Sequence, residues 1–262
     1  MIHTKLKPSK KFDINFHPSE LTRDIEIPEE SKEIAKNYLG SETLAENEGY
    51  DLMIMLDDCV IYGYDYNYKN KKVFIPELSP ITIFYSNAIM SFGQLEHYKN
   101  ELLTKSAHAD DIQQMVNFNH FGTFFQLGVN CIINLQASLE SFLNQKIIGN
   151  HTFLNKKGKP RRPNIYDKIE KGIQAVTKLD YKNEQNLEAI KDLIQVRNNI
   201  IHLKPEQEIT NTRYKTTFRE VISFDFKIAV KAIKDYINFY EPNLIEECSC
   251  GKEFYYDVFE RN

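Results

Sequence analysis

The residues best suited to chemistry lie in one short stretch, DLIQVRNNIIHLKP, which runs from Asp192 to Pro205. Within it, Arg197 precedes His202 by five positions, and Asn198 directly follows the arginine. Histidine exchanges a proton near neutral pH and is therefore a common general acid or base. A guanidinium can hold an oxyanion through two parallel N–H bonds. This stretch is the candidate site, and its local structure decides whether the three side chains can act together.

A helical period runs through the stretch and places Arg197 in an unfavourable position. At 100° per residue, Arg197 lies in the middle of an apolar stripe, where a guanidinium without a partner would cost several kcal/mol. The stripe consists of Ile190, Leu193, Ile194 and Ile201. Asn198 and His202 fall about 100° and about 140° from Arg197, at one edge of the stripe. The three polar side chains should therefore line one side of one helix, close to its C-terminal end.

This motif and its setting resemble the HEPN (higher eukaryotes and prokaryotes nucleotide-binding) domain family. Residues 197–202, RNNIIH, are similar to the R-x4-6-H motif of the bacterial members, including the polar residue that often follows the arginine. In that family the motif lies near the end of a late helix in a four- or five-helix bundle. Residues 135–148, LQASLESFLNQKII, resemble the long central helix of the bacterial members. The resemblance covers roughly residues 81–240 and leaves the N-terminal part without a family.

The resemblance implies an oligomeric state and a reaction. It implies a homodimer in which two motifs meet across a twofold axis and form one composite active site. The implied activity is metal-independent endonucleolytic cleavage of RNA: the ribose 2′-OH attacks the adjacent phosphate and leaves a 2′,3′-cyclic phosphate and a free 5′-OH. His202 would be the general base or acid, Arg197 would bind the phosphate, and Asn198 would orient the imidazole or the phosphate. No cofactor is expected, and DNA should resist cleavage because it lacks the nucleophile.

The biological setting implied by the resemblance is a toxin or an anti-phage defence protein, whose partner would be an antitoxin or another defence protein. The subgroup of toxins with a modifiable tyrosine is not supported, because Leu203 and Lys204 follow His202. Two other interpretations stay open. Arg197 and His202 can simply satisfy carbonyls at the end of a helix, where cations are favoured. The domain can also be a non-catalytic HEPN-like nucleotide- or partner-binding dimerisation module.

A basic loop between two predicted helices is the candidate RNA-binding segment. Its cations are Lys156, Lys157, Lys159, Arg161 and Arg162. They would follow phosphates near the site, although a charge run of this kind is commonly a solvated surface. Glu140 is a candidate supporting residue, because a carboxylate on its side of the helix can pair with Arg197 or hold His202. It can equally be an ordinary solvent-facing glutamate.

Composition and motifs exclude several classes of protein. A net charge of −4 over 262 residues argues against a globally basic nucleic-acid binder but allows a local basic patch. The apolar runs are too short to cross a bilayer, and no signal-peptide pattern is found. The four cysteines do not resemble a disulfide framework, so the cytoplasm is the expected compartment. Cys248 and Cys250 resemble half of a zinc knuckle without its second half, so no metal site is expected.

The pattern of periodic segments, together with the resemblance, predicts an all-α fold. We expect an up-and-down helical bundle of HEPN type with a small N-terminal appendage that can be α+β. The predicted regions are an N-terminal region of unknown role (1–80), the bundle (81–242) and a C-terminal tail packed on it (243–262). In the appendage we predict a helix over 28–40 and a hairpin between 50 and 76, with its turn at 69–72. Further helices are predicted over 81–106, 112–148, 164–179, 183–203 and 225–240.

Overall fold

The chain forms two compact units in the computed structural model. The structure describes residues 3–14, 26–56, 59–107, 118–203 and 214–249. One unit, here called the sheet unit, spans Leu6–Ser79. The other, the helical unit, combines the described residues 3–5 with those from Pro80 onward. Helices account for 59% of the described residues, and strands with isolated bridges for 14%.

The sheet unit is built around a four-stranded antiparallel sheet. Its strands are β1 (Lys11–Asp13), β2 (Leu52–Met55), β3 (Cys59–Tyr68) and β4 (Lys71–Pro76). The long β3 pairs with all three others, so it is the centre of the sheet. Helix α1 (Glu29–Gly40) and a 3-10 turn (Ala45–Glu48) precede β2.

The prediction of an all-α fold is wrong, because the N-terminal part contains this sheet. The predicted helix over 28–40 and the predicted hairpin are confirmed as α1 and as β3 with β4. Lys69 and Asn70 form the hairpin turn with positive φ of 49° and 61°, the conformation that suits a two-residue hairpin turn. The hairpin has a local signal of this kind, whereas β1 is only three residues long and pairs with β3 from far away in sequence. Such long-range pairing leaves little trace in the local pattern.

A buried carboxylate ties α1 and the 3-10 turn to the sheet. Asp65 on β3 accepts hydrogen bonds from the Tyr38 hydroxyl (2.6 Å) and the Ala45 backbone N–H (3.2 Å). The Lys72 ammonium lies 3.3 Å from the same carboxylate, and both side chains are almost fully buried. Burial acts to raise the pKa of Asp65, but these hydrogen bonds outweigh it and hold the pKa below its ordinary value. The network therefore holds an ionised Asp65 inside the sheet unit.

The helical unit is formed by helices that agree closely with the predicted ranges. They are α2 (Pro80–Lys105), α3 (Phe118–Ile147), α4 (Ile165–Asp167), α5 (Ile173–Thr177), α6 (Glu184–Ile201), α7 (Lys215–Ser223) and α8 (Phe226–Tyr240). A π-helical turn, Lys168–Gly172, joins α4 to α5. Helix α7 was not predicted. The predicted start of α3 near residue 112 lies outside the described residues.

Local capping explains why several of these helices begin and end where they do. Asn164 and Asp167 form a reciprocal capping box at the start of α4. Asn183 and Asp225 each accept a hydrogen bond from a backbone N–H in the first turn of α6 and α8. Gly149 follows α3 with a φ of 81°, which glycine adopts without strain. These boundaries are therefore determined by residues next to them in the sequence.

The core of the helical unit is apolar, with a few buried polar groups that hydrogen-bond to backbone carbonyls. The Ser138 hydroxyl of α3 donates to the Ile81 carbonyl of α2 at 2.8 Å. The Tyr85 hydroxyl of α2 donates to the Val230 carbonyl of α8 at 3.1 Å. The largest fully buried side chains include Tyr85, Phe124, Phe142 and Tyr236. Packing on this scale makes α3 the central helix against which α2, α6 and α8 rest.

The two ends of the chain meet on the helical unit. The Lys5 N–H donates to the Glu246 carbonyl, and the Cys248 N–H donates to the His3 carbonyl, both at 2.9 Å. Ile245 is buried in the core. The first part of the C-terminal tail, through residue 249, therefore packs on the bundle, while residues 250–262 lie outside the described residues.

Candidate active site

Helix α6 carries the candidate site and packs into the core along one face. The buried residues of that face are Asn186, Ile190, Leu193, Ile194 and Ile200. Ile201, which we predicted to belong to the apolar stripe, is instead 47% exposed. Ile200 and Ile201 lie on opposite sides of Arg197 on the helical wheel, so either could have continued the stripe. The helices that surround α6 decide that Ile200 enters the core.

Arg197 is half-buried on the core-facing side of α6. Its Nη1 donates a hydrogen bond to the Asn198 Oδ1 at 3.2 Å. Within the described residues, no carboxylate forms an ion pair with Arg197. The guanidinium therefore keeps most of its donors available for an anion, and no backbone carbonyl of the described residues takes it up at the helix end.

His202 is the C-cap of α6 and is exposed. Its backbone N–H donates to the Asn198 carbonyl at 3.0 Å, which closes the last turn. The helix was predicted to continue to residue 203, but the backbone of His202 already departs from helical geometry, with φ −106° and ψ 34°. No side-chain hydrogen bond or ion pair of His202 occurs among the residues that the structure describes. The imidazole is thus accessible from solvent, five residues beyond Arg197.

The site lies where three helices come together, an end of the helical unit that we call the motif end. The Asn199 amide of α6 donates to the Glu220 carboxylate of α7 at 2.9 Å. Helix α7 in turn packs on the N-terminal half of α3, where Val221 lies against Gly128. The motif end therefore comprises the C-terminal end of α6, helix α7 and the N-terminal half of α3.

The basic loop, predicted to lie near the site, is found at the other end of α3. It forms a small hairpin in which Leu154 bridges Pro160. Phe153, at its start, packs together with Ile147 against Gly172. From Gly128 to Ile147 the axis of α3 rises by about 28 Å. Within one chain the loop and the motif therefore lie at different ends of α3, and RNA binding by the loop stays a prediction.

Among the five cations of this hairpin, Arg161 already has a partner. It forms a bidentate ion pair with Asp167, with both N–O distances 2.6 Å. The Arg161 guanidinium, together with the Asn164 backbone N–H, lowers the pKa of Asp167 to about 2. Lys156, Lys157, Lys159 and Arg162 are exposed. Arg161 therefore stabilises the start of α4, while the other four cations face solvent.

Glu140 also has a partner other than the one considered from the sequence. The Lys168 ammonium, in the π-helical turn, lies 3.5 Å from the Glu140 carboxylate and 2.7 Å from the Asn144 amide oxygen. No bond joins Glu140 to Arg197 or His202. In this geometry Glu140 interacts with Lys168 and does not support the motif.

A groove beside the motif carries negative charge and was not found from the sequence. It lies between the outer face of α6 and the junction of α7 with α8, and its volume is about 470 Å³. Its lining includes the carboxylates of Glu188, Asp192, Glu220 and Asp225. These residues are scattered in the sequence, so no local motif signals the groove. Its charge repels phosphates, which leaves the Arg197 side of α6 as the favourable approach for an anion.

The remaining predictions concern cysteines, metals and membranes. Among the described residues, Cys59, Cys131 and Cys248 are not in disulfides, and Cys250 lies outside the described residues. Across the described ranges, no group of three or more His, Cys, Asp or Glu side chains is arranged to hold a metal ion. In the same ranges, none of the helices combines the length and the apolar character that a bilayer crossing requires.

Comparisons with known proteins add no relative to this description. No protein-family model, curated protein or solved structure matches the chain.

Proposed function

We propose that the chain is a metal-independent endoribonuclease of HEPN type that acts as a homodimer. The observation that carries the proposal is the placement of a guanidinium and an imidazole at the end of α6. Arg197 is half-buried and bonded only to Asn198 among the described residues, and His202 is exposed beyond the helix end. A half-buried guanidinium that has no carboxylate partner among the described residues has donors available to bind an anion, and RNA provides that anion in its phosphates.

The proposed reaction needs only groups that the motif and the RNA supply. An imidazole of His202 accepts the proton of the ribose 2′-OH, and the 2′-oxygen forms a bond to the adjacent phosphorus. The bond from phosphorus to the 5′-oxygen breaks, and that oxygen takes a proton from an imidazolium. In a dimer, two copies of His202 can divide the roles of base and acid. Arg197 stabilises the additional charge on the phosphoryl oxygens, while Asn198 fixes the direction of the guanidinium.

Exposed apolar side chains beside the motif support the dimer. Ile201 and Leu203 are 47% and 37% exposed, and they flank His202 directly. Phe118, at the start of α3, is 83% exposed, and Tyr214, the N-cap residue of α7, is 41% exposed. A stable dimer buries about 1,600 Å² in total and favours such residues at its centre. A twofold contact through this surface would bring two motifs together.

The setting that we propose is defence or growth arrest, with an antitoxin or another defence protein as a partner and the cytoplasm as the compartment. Cysteines at positions 59, 131 and 248 that are not in disulfides fit a reducing compartment. If the site proves inactive, the same surface would be a dimerisation module that binds nucleotides or a partner.

The test is RNA cleavage by the purified protein in EDTA, with the ends of the products identified. We expect cleavage that leaves 2′,3′-cyclic phosphate and 5′-OH ends, and no cleavage of DNA of the same sequence. His202→Ala should lose activity. His151→Ala is the matched control, because that histidine lies beside Phe153 at the other end of α3. No cleavage of any of several RNAs by the wild type, or equal loss in both variants, would contradict the proposal.

A further inference from the structure

One face of the sheet is covered with exposed aromatic side chains. Along β3, side chains alternate between the two faces, so Tyr62, Tyr64, Tyr66 and Tyr68 share one face. Tyr64, Tyr66 and Tyr68 are 49%, 58% and 54% exposed. On the opposite face, Cys59, Ile61 and Asp65 are buried.

Neighbouring strands extend the same face with apolar residues. Residues directly opposite one another in an antiparallel pair point to the same side of the sheet. Those opposite the β3 residues of this face are Phe12, Met53, Met55, Lys71, Val73 and Ile75. The rings of Phe12 and Tyr62 touch edge to face, with centroids 5.5 Å apart, which confirms that they share a side. We call this surface the tyrosine face.

Lysines surround the rings of the tyrosine face. The Lys10 ammonium lies 4.9 Å from the centroid of the Phe12 ring and 5.4 Å from that of Tyr62. At the far end of β3, the Lys69 ammonium lies 5.1 Å from the Tyr68 ring, and Lys71 is paired with Tyr68. No strand position of this face carries a carboxylate; Asp51 and Glu77 lie beyond the ends of β2 and β4. The ligand that fits is therefore flat, apolar on its faces and negatively charged along its length.

The spacing of the rings selects a single strand over a duplex. Residues two apart on an antiparallel strand are separated by about 6.8 Å. Stacked bases in a duplex rise by about 3.4 Å per nucleotide, so a duplex cannot place one base on each ring. An extended single strand can, because its bases are free to leave one another and stack on aromatic side chains.

We infer that the tyrosine face binds single-stranded RNA, with bases stacked on Tyr64, Tyr66 and Tyr68 and phosphates near Lys10, Lys69 and Lys71. This inference rests on the proposed function for its choice of RNA, since that activity requires a ribose 2′-OH. It gives the chain a second contact with its substrate, on a unit separate from the one that carries the motif. Because every base has a π face, the surface tolerates many sequences.

The experiment measures the binding of a fluorescently labelled 12-nucleotide RNA by anisotropy, with the full chain carrying His202→Ala so that no cleavage occurs. Tyr66→Thr introduces a β-branched residue, which suits a strand, and removes the ring, so we expect about tenfold weaker binding. The triple variant, in which Tyr64, Tyr66 and Tyr68 are all replaced by threonine, should bind at least about hundredfold more weakly. Tyr66→Phe keeps the ring and should bind within about twofold of its parent. Duplex RNA of the same sequence should bind at least about tenfold more weakly than the single strand.

Phe74→Thr is the matched control, because Phe74 is 46% exposed in the same sheet but lies opposite Asp65, on the other face. It should leave binding within about twofold. Lys69→Ala should reduce the slope of log affinity against log salt by about 0.7. Since exposed rings can instead serve a protein contact, the mass of each variant is measured by light scattering. An unchanged affinity in the triple variant, or a change in its oligomeric state with binding retained, would overturn the inference.

The outcome is separable from that of the proposed function. A wild type that binds single-stranded RNA through the tyrosine face and cleaves none would leave the inference standing and reject the nuclease. A wild type that cleaves RNA, with an affinity and a rate that do not change in the triple variant, would support the nuclease and reject the inference. The folding of the triple variant is checked by circular dichroism, and Tyr66→Val with Lys69→Ala replaces it if the strand is lost.

Discussion

The two units of this chain expose opposite kinds of chemistry. The helical unit presents a guanidinium and an imidazole at the end of α6, next to an acidic groove. The sheet unit presents a row of tyrosines with lysines around them, and it holds a buried ion network around Asp65. A group that exchanges protons and a surface that suits stacked bases thus occur on different units.

Under our two proposals, catalysis and RNA binding do not share a site. Our proposals assign bond breaking to the helical unit and affinity for single strands to the sheet unit. A mutation in one unit should then leave the other function intact. The following predictions test that separation, beginning with the largest effect.

The largest effect is expected at His202. His202→Ala should lower the cleavage rate by about thousandfold, because the reaction loses its proton acceptor and donor. RNA affinity should stay within about twofold, measured by anisotropy under the same conditions. A parallel loss of affinity and rate would mean that His202 holds the RNA, and would break the division between the units.

A large effect on stability is expected from the buried ion pair of the sheet unit. Lys72→Met leaves the Asp65 carboxylate buried without its cation, which should cost about 3 kcal/mol of that unit's stability. Hydrogen exchange followed by mass spectrometry should show faster exchange over β3 and β4 and unchanged exchange over α3. Lys71→Met, at the exposed neighbouring position, is the control and should have little effect. Equal acceleration in α3 would show that the two units unfold together.

Arg197 should affect rate more than affinity. Arg197→Lys keeps the charge but loses the planar pair of donors, so we expect the rate to fall by about hundredfold. Single-turnover cleavage with saturating protein separates this from binding. Lys191→Arg, an exposed change on the same helix, should cleave like the wild type. A fall in affinity with an unchanged saturated rate would reassign Arg197 to substrate binding.

The smallest effect on stability is expected in the basic hairpin, residues 153–161. Arg161 and the Asn164 N–H lower the pKa of Asp167 to about 2, so the ionised carboxylate stabilises the folded state. That contribution is complete above the unfolded pKa near 4 and is lost as the pH falls towards 2. Asp167→Asn should therefore reduce the free energy of unfolding by about 1 kcal/mol at pH 6, and by less as the pH approaches 2.

Urea unfolding at several pH values measures this difference, and Asp180→Asn serves as the control carboxylate. RNA affinity should not change in Asp167→Asn. A change in RNA affinity would mean that the basic hairpin, rather than the tyrosine face, binds the RNA.

Much of the helical unit could be predicted from the sequence because its signals are local. The capping side chains of Asn164, Asn183 and Asp225 each accept a hydrogen bond from a backbone N–H three residues further along the chain. The hairpin turn at Lys69 and Asn70 is local in the same sense. The fold class was predicted wrongly, because β1 pairs with β3 from far away in the sequence and such pairing has no local signal.

The sequence alone predicts most of the helices, the caps that begin several of them, and the placement of Arg197 and Asn198 on one helix with His202 at its end. Tertiary packing determines that Ile200 is buried and Ile201 exposed, that Glu140 pairs with Lys168, and that the basic hairpin lies about 28 Å along α3 from the motif end. It also decided which face of β3 is left uncovered. The physical reason is that periodicity assigns residues to the sides of an element, whereas only neighbouring elements determine which side is buried.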